Sequence, residues 1–475
     1  MKITTTRSLL VAIIATGLAL SGRTATDGFL RAETIAQTPA PQVDEIAVAL
    51  RNPGSHQRVG LPDFVWASGA PEMAEHARTV AEVLWADLDF EREFYMIRRT
   101  ESARIPAAPA DALPYDQWAQ LGADFVLAGN ARANGQNLVI ELRLMHVKGD
   151  QRGGQYFGRR YQCGMQTARG ARDCAHQIAD DFHKEVRQVD GVARTKLAFS
   201  SDRDSGRVAG RPNQQPGVSK EIYLSDYDGA NQVRLTTNAS INISPTWSPD
   251  GRRVAYTSYA SGFPDVYIAN LAQPGRGLLR PAQGSVTVHN QFYAWSPDGR
   301  QVAFTSNRGG NYDIWLMNED GSGLRNLTNT PRADEGTATW SPNGQSIAFW
   351  SDRAGVPQLY IQNVSSPNAQ RVMADRIDRP TWSTMNFIAF TIGSSPFYDI
   401  GIWDFNDPGV KILTPGGVGT NESPAVSPNG RHIAFITTRW GRQEIATMDR
   451  TGENVRRITQ VGNNTYPNWQ PIPGR

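Results

Sequence analysis

The chain has 475 residues, of which 39% are hydrophobic and 20% are charged, and its formal net charge is +2. This length predicts roughly three domains, or fewer if one of them is an all-β fold of about 200–250 residues. The near-neutral charge excludes a nucleic-acid-binding protein that works through a broad basic face. Only one segment is apolar enough to enter a bilayer, which excludes a polytopic membrane protein. The 44 glycines, 29 prolines and 12 tryptophans favour short strands and tight turns.

The first residues have the pattern of an export signal. Lys2 and Arg7 precede an apolar run over residues 9–20, which is too short to span a bilayer comfortably. We expect a signal peptide over residues 1–21, with cleavage near Ala25 and an uncleaved anchor as the alternatives. No cysteine lies directly after the run, so the residue for lipid attachment is missing. The sequence predicts an exported chain that does not span a membrane after cleavage.

A polar, proline-containing stretch precedes the first folded region. Residues 22–45 have too few apolar side chains to form a core and are predicted to be extended. Residues 46–192 mix helical and strand patterns and predict a small α/β domain without a glycine-rich phosphate loop. The helices are predicted over residues 71–88, 115–121 and 172–189, and the strands over 63–67, 94–97, 124–128, 137–147 and 155–161.

Cys163 and Cys174 are the only cysteines in the chain. An even count in an exported protein favours a disulfide, which would stabilise the fold by about 3 kcal/mol. Two unpaired thiols are the alternative, since sequence does not fix the geometry that a disulfide needs. A redox site is not expected, because the cysteines do not form a C-x-x-C motif.

A short motif repeats through the rest of the chain. Trp-Ser-Pro-Asp/Asn-Gly starts at Trp247, Trp295 and Trp340, a degenerate copy starts at Trp382, and Val426 opens a copy that lacks the tryptophan. Successive copies are 42–48 residues apart. Each copy comprises the end of one strand and a tight turn. Three more strands follow, and we name the four strands A to D in chain order. A period of this length with four strands is typical of a β-propeller blade.

The first and last repeats are incomplete in complementary ways. Residues 196–236 contain strands B, C and D without a strand A, and residues 466–471 at the end of the chain form an isolated strand A. Together they make one blade. We therefore predict a six-bladed propeller over residues 193–475, closed by the C-terminal strand, which removes an exposed sheet edge.

A small α/β domain followed by six such repeats in an exported chain resembles the TolB family, the periplasmic propeller proteins of the Tol–Pal system. The resemblance covers nearly the whole chain after the signal, apart from a longer polar N-terminal segment and the degenerate turn at residues 384–386. It implies a periplasmic, non-enzymatic interaction protein without a cofactor. It also implies binding of the lipoprotein Pal by the propeller and of TolA by residues 22–45, in support of outer-membrane integrity and cell division.

We expect the partner to bind the propeller end that carries the B–C loops and the D–A connections, because these are longer and more varied than the turns. The predicted contact residues begin strand A or precede it: Asn242, His289, Asn290, Glu335, Asn421 and Asn464. Asparagine can bond a partner's backbone, but it also tolerates turn geometry, so both interpretations stay open. The pair His289-Asn290 resembles a His-Asn pair of the TolB family on the face that receives Pal, which implies that both contact Pal.

The sequence lacks the common motifs for hydrolytic catalysis and zinc binding. We find no G-x-S-x-G nucleophile elbow and no H-E-x-x-H zinc motif. His176, Asp180 and His183 share one predicted helix, but their spacing favours a solvated polar face over a metal site. We therefore predict no catalytic residue and no metal. The alternative function is an exported propeller that binds a glycan or serves as a module associated with an enzyme.

Overall fold

The structure is a computed structural model that describes residues 56–167, 169–205, 219–273, 282–394 and 396–474. The predicted signal peptide, residues 1–21, and the predicted extended segment, residues 22–45, lie outside the described residues. Among the helices that are described, none is both long enough and apolar enough to cross a membrane.

The first domain is built on a mixed six-stranded sheet. Its strands are β1 (Arg58–Gly60), β2 (Val65–Ser68), β3 (Tyr95–Met96), β4 (Phe125–Asn134), β5 (Asn137–His146) and β6 (Gln155–Gly164). The order is β3-β1-β4-β5-β6, with β2 paired to β4. Strand β1 runs parallel to β3 and β4, whereas β4, β5 and β6 form an antiparallel meander. The predicted α/β class of this domain is confirmed.

Helices cover both faces of this sheet: α1 (Pro71–Glu91), α2 (Arg99–Ser102), α3 (Tyr115–Gln120) and α4 (Gly170–Arg187). Phe125 and Leu127 of β4 belong to the core that also holds residues of α1 and α4, whereas Val126 and Ala128 pack with Trp118 of α3. A strand buried on both faces reads as a continuous apolar run. This explains the run Phe-Val-Leu-Ala at the start of β4.

A disulfide ties the edge of the sheet to the second long helix. The sulfur atoms of Cys163, on β6, and Cys174, on α4, are bonded, and their Cα atoms are 5.7 Å apart. Both side chains are buried in the core between α1, α4 and the sheet. The bond therefore holds edge strand β6 against α4.

The second domain is a six-bladed propeller, as predicted. Blade 1 has strand A at Asn464–Trp469, B at Lys196–Ser201, C at Glu221–Asp226 and D at Val233–Arg234. Blade 2 has A at Asn242–Trp247, B at Arg253–Ser258 and C at Asp265–Asn270. Blade 3 has A at Asn290–Trp295, B at Gln301–Ser306, C at Asp313–Asn318 and D at Arg325–Asn326.

The remaining blades continue the same order. Blade 4 has A at Glu335–Trp340, B at Ser346–Ser351, C at Gln358–Asn363 and D at Ala369–Arg371. Blade 5 has A at Ile377–Trp382, B at Phe387–Ser394, C at Phe397–Asp404 and D at Val410–Ile412. Blade 6 has A at Asn421–Val426, B at His432–Thr437, C at Glu444–Asp449 and D at Arg456–Arg457.

The C-terminal strand closes the ring. Strand A of blade 1 pairs antiparallel with strand B of the same blade, with Asn464 opposite Ser201 and Trp469 opposite Leu197. The indole Nε1 of Trp469 donates to Thr195 Oγ1 at 2.7 Å. The predicted closure is confirmed, so the two ends of the propeller sequence share one sheet.

The repeated motif forms the same turn in blades 2, 3, 4 and 6. In blade 2, the Ser248 hydroxyl accepts a hydrogen bond from the backbone N–H of Arg253 at 3.0 Å. Gly251 then has a φ of 66°, which glycine adopts without a Cβ clash. In the degenerate turn of blade 5, Asn386 takes this place with a φ of 61°, and asparagine tolerates this conformation better than most residues. Blade 5 keeps a tight turn, but it is one residue shorter, because Ser383 N donates to Phe387 O whereas Ser248 N donates to Arg253 O.

Every strand A has a bulge near its start, where its pairing with strand B shifts register. The third residue of each strand has a left-handed φ between 48° and 57°, and none is glycine: Ser244, Phe292, Thr337, Arg379, Ser423 and Tyr466. This conformation costs about 1–2 kcal/mol per residue. Proline follows in four blades, and a proline inside a strand is the sequence signal of a bulge, which sequence analysis did not use.

Candidate partner-binding surface

The two ends of the propeller differ in what covers them. We call the end with the A–B and C–D turns the turn face, and the opposite end, with the B–C loops and D–A connections, the loop face. The N-terminal domain packs on the turn face at blades 1 and 6, a contact that we call the seam. There Tyr227 Oη donates to Asp87 at 2.7 Å and Arg456 Nη2 lies 2.8 Å from Asp89 Oδ2.

Glu91, at the end of α1, is the centre of the seam. Its buried carboxylate accepts hydrogen bonds from Val192 N at 2.7 Å and from Arg431 Nη1 at 3.3 Å, and it lies 3.3 Å from His432 Nε2. Burial alone would raise its pKa, but the hydrogen bond with His432 and the charge of Arg431 outweigh burial and lower the pKa of Glu91 to about 2. The carboxylate is therefore ionised at neutral pH and joins the two domains.

The three polar residues of α4 that were expected on a solvated surface are buried at or near the seam, so that expectation is wrong. His176 Nδ1 lies 2.8 Å from Asp87 Oδ2, and Asp180 accepts a hydrogen bond from Ala193 N at 2.8 Å. Neither ring nitrogen of His183 has a hydrogen-bond partner among the described residues. Its burial lowers the pKa of His183 to about 4. Asp180 therefore bonds the backbone that leads into the propeller, whereas His176 and His183 are buried within the first domain beside the seam.

The five polar residues predicted to contact a partner at the start of strand A are buried: Asn242, Asn290, Glu335, Asn421 and Asn464. Asn290 Nδ2 donates to Asp265 Oδ1 at 2.9 Å, and its Oδ1 accepts a hydrogen bond from Arg308 at 2.9 Å. A buried side chain has no surface to offer a partner. The structure places these five residues beneath the loop face, where they position the loops.

A Ser/Thr-x-Arg motif at the end of strand B secures the same region. Arg353 Nε donates to Ser351 Oγ at 2.9 Å, and its Nη2 lies 3.3 Å from Glu335 Oε1. Its guanidinium also lies over the ring of Phe349, 5.9 Å from the centroid. Three further arginines bond their Ser or Thr and cover the strand-B phenylalanine in this way: Arg203, Arg308 and Arg439. Sequence analysis missed this repeat, although the signal follows strand B in four blades.

His289 is the one predicted contact residue whose side chain is not buried. It precedes strand A of blade 3 and is half-buried on the loop face. Its backbone N–H donates to Asn307 Oδ1 at 2.7 Å, and its Nδ1 lies 3.3 Å from Tyr312 Oη. The B–C loop of blade 3 therefore holds His289 in place, with part of its surface accessible.

Large apolar side chains are exposed on the loop face. Phe397 is 78% exposed at the B–C hairpin of blade 5, and Val286 is 77% exposed in the connection to blade 3. Three more are exposed in other loops of this face: Val356, Val418 and Val461. Toward the turn face, Leu324 is 43% exposed at the C–D turn of blade 3, and Val233 is 52% exposed after the C–D turn of blade 1. Single exposed apolar residues are ordinary on a protein surface, and these five share the loop face.

The chain is similar to TolB proteins over both domains. Residues 184–473 match the family described as TolB beta propeller domain, and residues 51–152 match the TolB amino-terminal domain. The Tol-Pal system protein TolB of Desulfosudis oleivorans is 31% identical over 241 residues, which are 50% of this chain and 50% of that protein. TolB of Bordetella parapertussis is 34% identical over 206 residues, 42% of this chain and 41% of that protein.

These alignments span about half the length of the curated relatives. Among solved structures, TolB from Acinetobacter baumannii has a TM-score of 0.71 at 21% identity, covering 88% of this chain and 97% of that chain. At this level of identity, the structural likeness shows that the two proteins share a fold and nothing about their partners.

Proposed function

Because the chain belongs to the TolB family, we propose that it is a non-catalytic interaction protein of the Tol–Pal system in the periplasm. Its partners are the lipoprotein Pal, which docks on the loop face, and TolA, which binds residues 22–45. Such a bridge supports outer-membrane integrity and cell division.

The exposed apolar side chains of the loop face carry the proposal for Pal. Five such residues come from loops around this end, and the buried asparagines and arginines below them hold those loops in fixed positions. Variable loops on a rigid frame are the usual place for binding. The other end of the propeller already receives the N-terminal domain at two blades, which leaves the loop face for a partner.

Titration calorimetry with the soluble domain of Pal tests the docking face. The double substitution Phe397→Ser with Val418→Ser removes two exposed apolar side chains and should weaken binding at least tenfold, or about 1.4 kcal/mol. The matched control is Leu324→Ser on the turn face, which should bind Pal like the wild type. Equal weakening by both variants, or by neither, would contradict docking on the loop face.

The proposal for TolA rests on the composition of residues 22–45. A polar, proline-containing segment cannot bury itself and can add as a strand to the sheet edge of a partner. Deleting the chain from residue 22 to Gln42 should abolish TolA binding and leave Pal binding unchanged. Retention of TolA binding by the deletion variant would place the TolA site elsewhere in the chain.

A further inference from the structure

The bulges of the six inner strands bring one side chain per blade toward the propeller axis. These are the six residues with left-handed φ: Ser244, Phe292, Thr337, Arg379, Ser423 and Tyr466. Each lies two residues after the start of strand A, where the strand leaves the loop face. Five are neutral, and Arg379 of blade 5 is the cation in the set.

Arg379 reaches across the channel to other blades. The centre of its guanidinium lies 4.0 Å from the ring centroid of Tyr466 in blade 1 and 4.9 Å from that of Phe292 in blade 3. Its Nη1 lies 3.5 Å from Ser244 Oγ in blade 2, which is opposite blade 5 in the ring. One side chain from blade 5 therefore contacts three other blades, and this is possible only if it crosses the axis.

The surroundings of the guanidinium have the chemistry of a cation site. Two aromatic rings lie against it, and rings attract cations through their negative faces. Asp378 Oδ2 lies 3.7 Å from Arg379 Nε. Burial raises the pKa of Glu422, and the charge of Arg379 opposes that rise, which places a second carboxyl group within electrostatic reach. The side chain of Arg379 is only 18% exposed.

We propose that the loop-face end of the channel is a binding site for guanidinium and ammonium groups, which the chain keeps occupied with its own Arg379. The arginine is a plug: it fills the space between Phe292 and Tyr466 and closes the channel. A partner that docks on the loop face meets a closed channel, and only a cationic side chain that displaces Arg379 can enter. The proposal does not depend on the identity of the partner.

Removal of the plug tests this site directly. Arg379→Ala should leave an empty site between two rings and beside the carboxyl group of Asp378, and methylguanidinium at millimolar concentration should bind there. Because a ligand that binds only the folded state stabilises it, we expect methylguanidinium to raise the melting temperature of the full-length Arg379→Ala protein. It should not raise the melting temperature of the wild type, whose site is filled.

Two controls separate binding at the plug site from general effects of the cation. Arg300→Ala removes an arginine that is 86% exposed on the turn face and leaves no site, so methylguanidinium should not stabilise it. Phe292→Ala combined with Arg379→Ala removes one wall, and the stabilisation should be lost. If Arg379→Ala does not fold, Arg379→Gln replaces it, because glutamine is two atoms shorter than arginine, carries no charge and leaves the place of the guanidinium empty.

Equal responses of the wild type and the plug variant to methylguanidinium, or no response of either, would overturn the proposal. So would an unchanged response after the loss of Phe292. Pal binding is measured separately on the same variants. Loss of Pal binding with Phe397→Ser and Val418→Ser bears on the docking face, whereas methylguanidinium binding bears only on the channel, so the two hypotheses fail independently.

Discussion

The seam and the loop face lie at opposite ends of one propeller and differ in chemistry. The seam buries charged groups in pairs, whereas the loop face exposes apolar side chains. At the seam, the carboxylate of Glu91 is buried and lies against Arg431 and His432. On the loop face, the buried polar groups are bonded within the propeller, and apolar side chains such as Phe397 face the solvent. Both ends are built from the same repeat, so the difference comes from the turn and loop residues.

The difference indicates what each end is for. A buried charge needs its partner at all times, because separation leaves it unpaired in a medium of low polarity. Exposed apolar surface is tolerated in water, and any contact that buries it away from water releases free energy. The seam therefore suits a permanent joint between the domains, and the loop face suits a partner that binds and leaves.

The largest effect is expected at the centre of the seam. Glu91→Ala leaves the buried charges of Arg431 and His432 without their shared carboxylate, and breaking a buried pair in this way costs about 3–5 kcal/mol. Thermal and urea unfolding of the full chain measure the loss. The matched control is Glu141→Ala, which removes an exposed partner of Arg160 and should cost less than about 1 kcal/mol. Similar losses for both variants would contradict the special role of the seam.

The second effect is a dependence of stability on pH. Burial lowers the pKa of His183 to about 4 in the folded chain, against a reference value of 6.5. Above pH 6.5 the ring is neutral in both states. As the pH falls from 6.5 to 4, the unfolded state takes up a proton that the folded state resists, so stability falls, by about 3 kcal/mol at most. His183 is surrounded by charged groups of both domains: Glu91, Glu93, Arg431 and His432.

The test compares the wild type with His183→Leu in urea unfolding between pH 4 and pH 8. Other groups titrate in the opposite sense: burial raises the pKa of Asp180 to about 6 and that of Glu335 to about 7. The difference between the two proteins isolates His183, since those groups are common to both. We expect the leucine variant to lose less stability on acidification. Parallel pH profiles would show that His183 does not titrate in this range.

The blades could be predicted from sequence because their signal is local. Trp247 and the four residues after it form one strand end and one turn, and the same string recurs in blades 3 and 4 and, altered, in blades 5 and 6. The roles of single polar residues are not local. Asn290 is buried because Arg308 and Asp265 surround it, and Glu91 meets Arg431 across the fold. A pattern of residue types along the chain does not contain these encounters, so Asn290 was assigned to a partner.

A smaller effect is expected from the buried ring beneath the loop face. Asn290→Ala removes the acceptor of a hydrogen bond from Arg308 and a donor to Asp265, both inside the protein. The loss should be about 1–3 kcal/mol of unfolding free energy. Asn290 does not contact a partner directly, so the folded Asn290→Ala protein should lose Pal affinity only through movement of the loops. Amide hydrogen exchange of residues 282–289 measures that movement. Unchanged stability would contradict the positioning role of Asn290.

The smallest change in unfolding free energy is expected at His289, in contrast to its buried neighbour Asn290. The side chain of His289 is partly accessible, and its ring lies 3.3 Å from Tyr312 Oη. His289→Ala should change the unfolding free energy by less than about 0.5 kcal/mol, because part of the His289 side chain is already in contact with water. If Pal covers this part of the loop face, the same substitution should weaken Pal binding by about 1 kcal/mol in titration calorimetry.

Asp298→Ala on the turn face is the control. It removes the carboxylate that accepts a hydrogen bond from the Ser296 hydroxyl within the A–B turn, so it should lower stability and leave the Pal affinity of the folded protein unchanged. The reverse pattern, with affinity lost at Asp298 and kept at His289, would mean that Pal docks on the turn face beside the N-terminal domain.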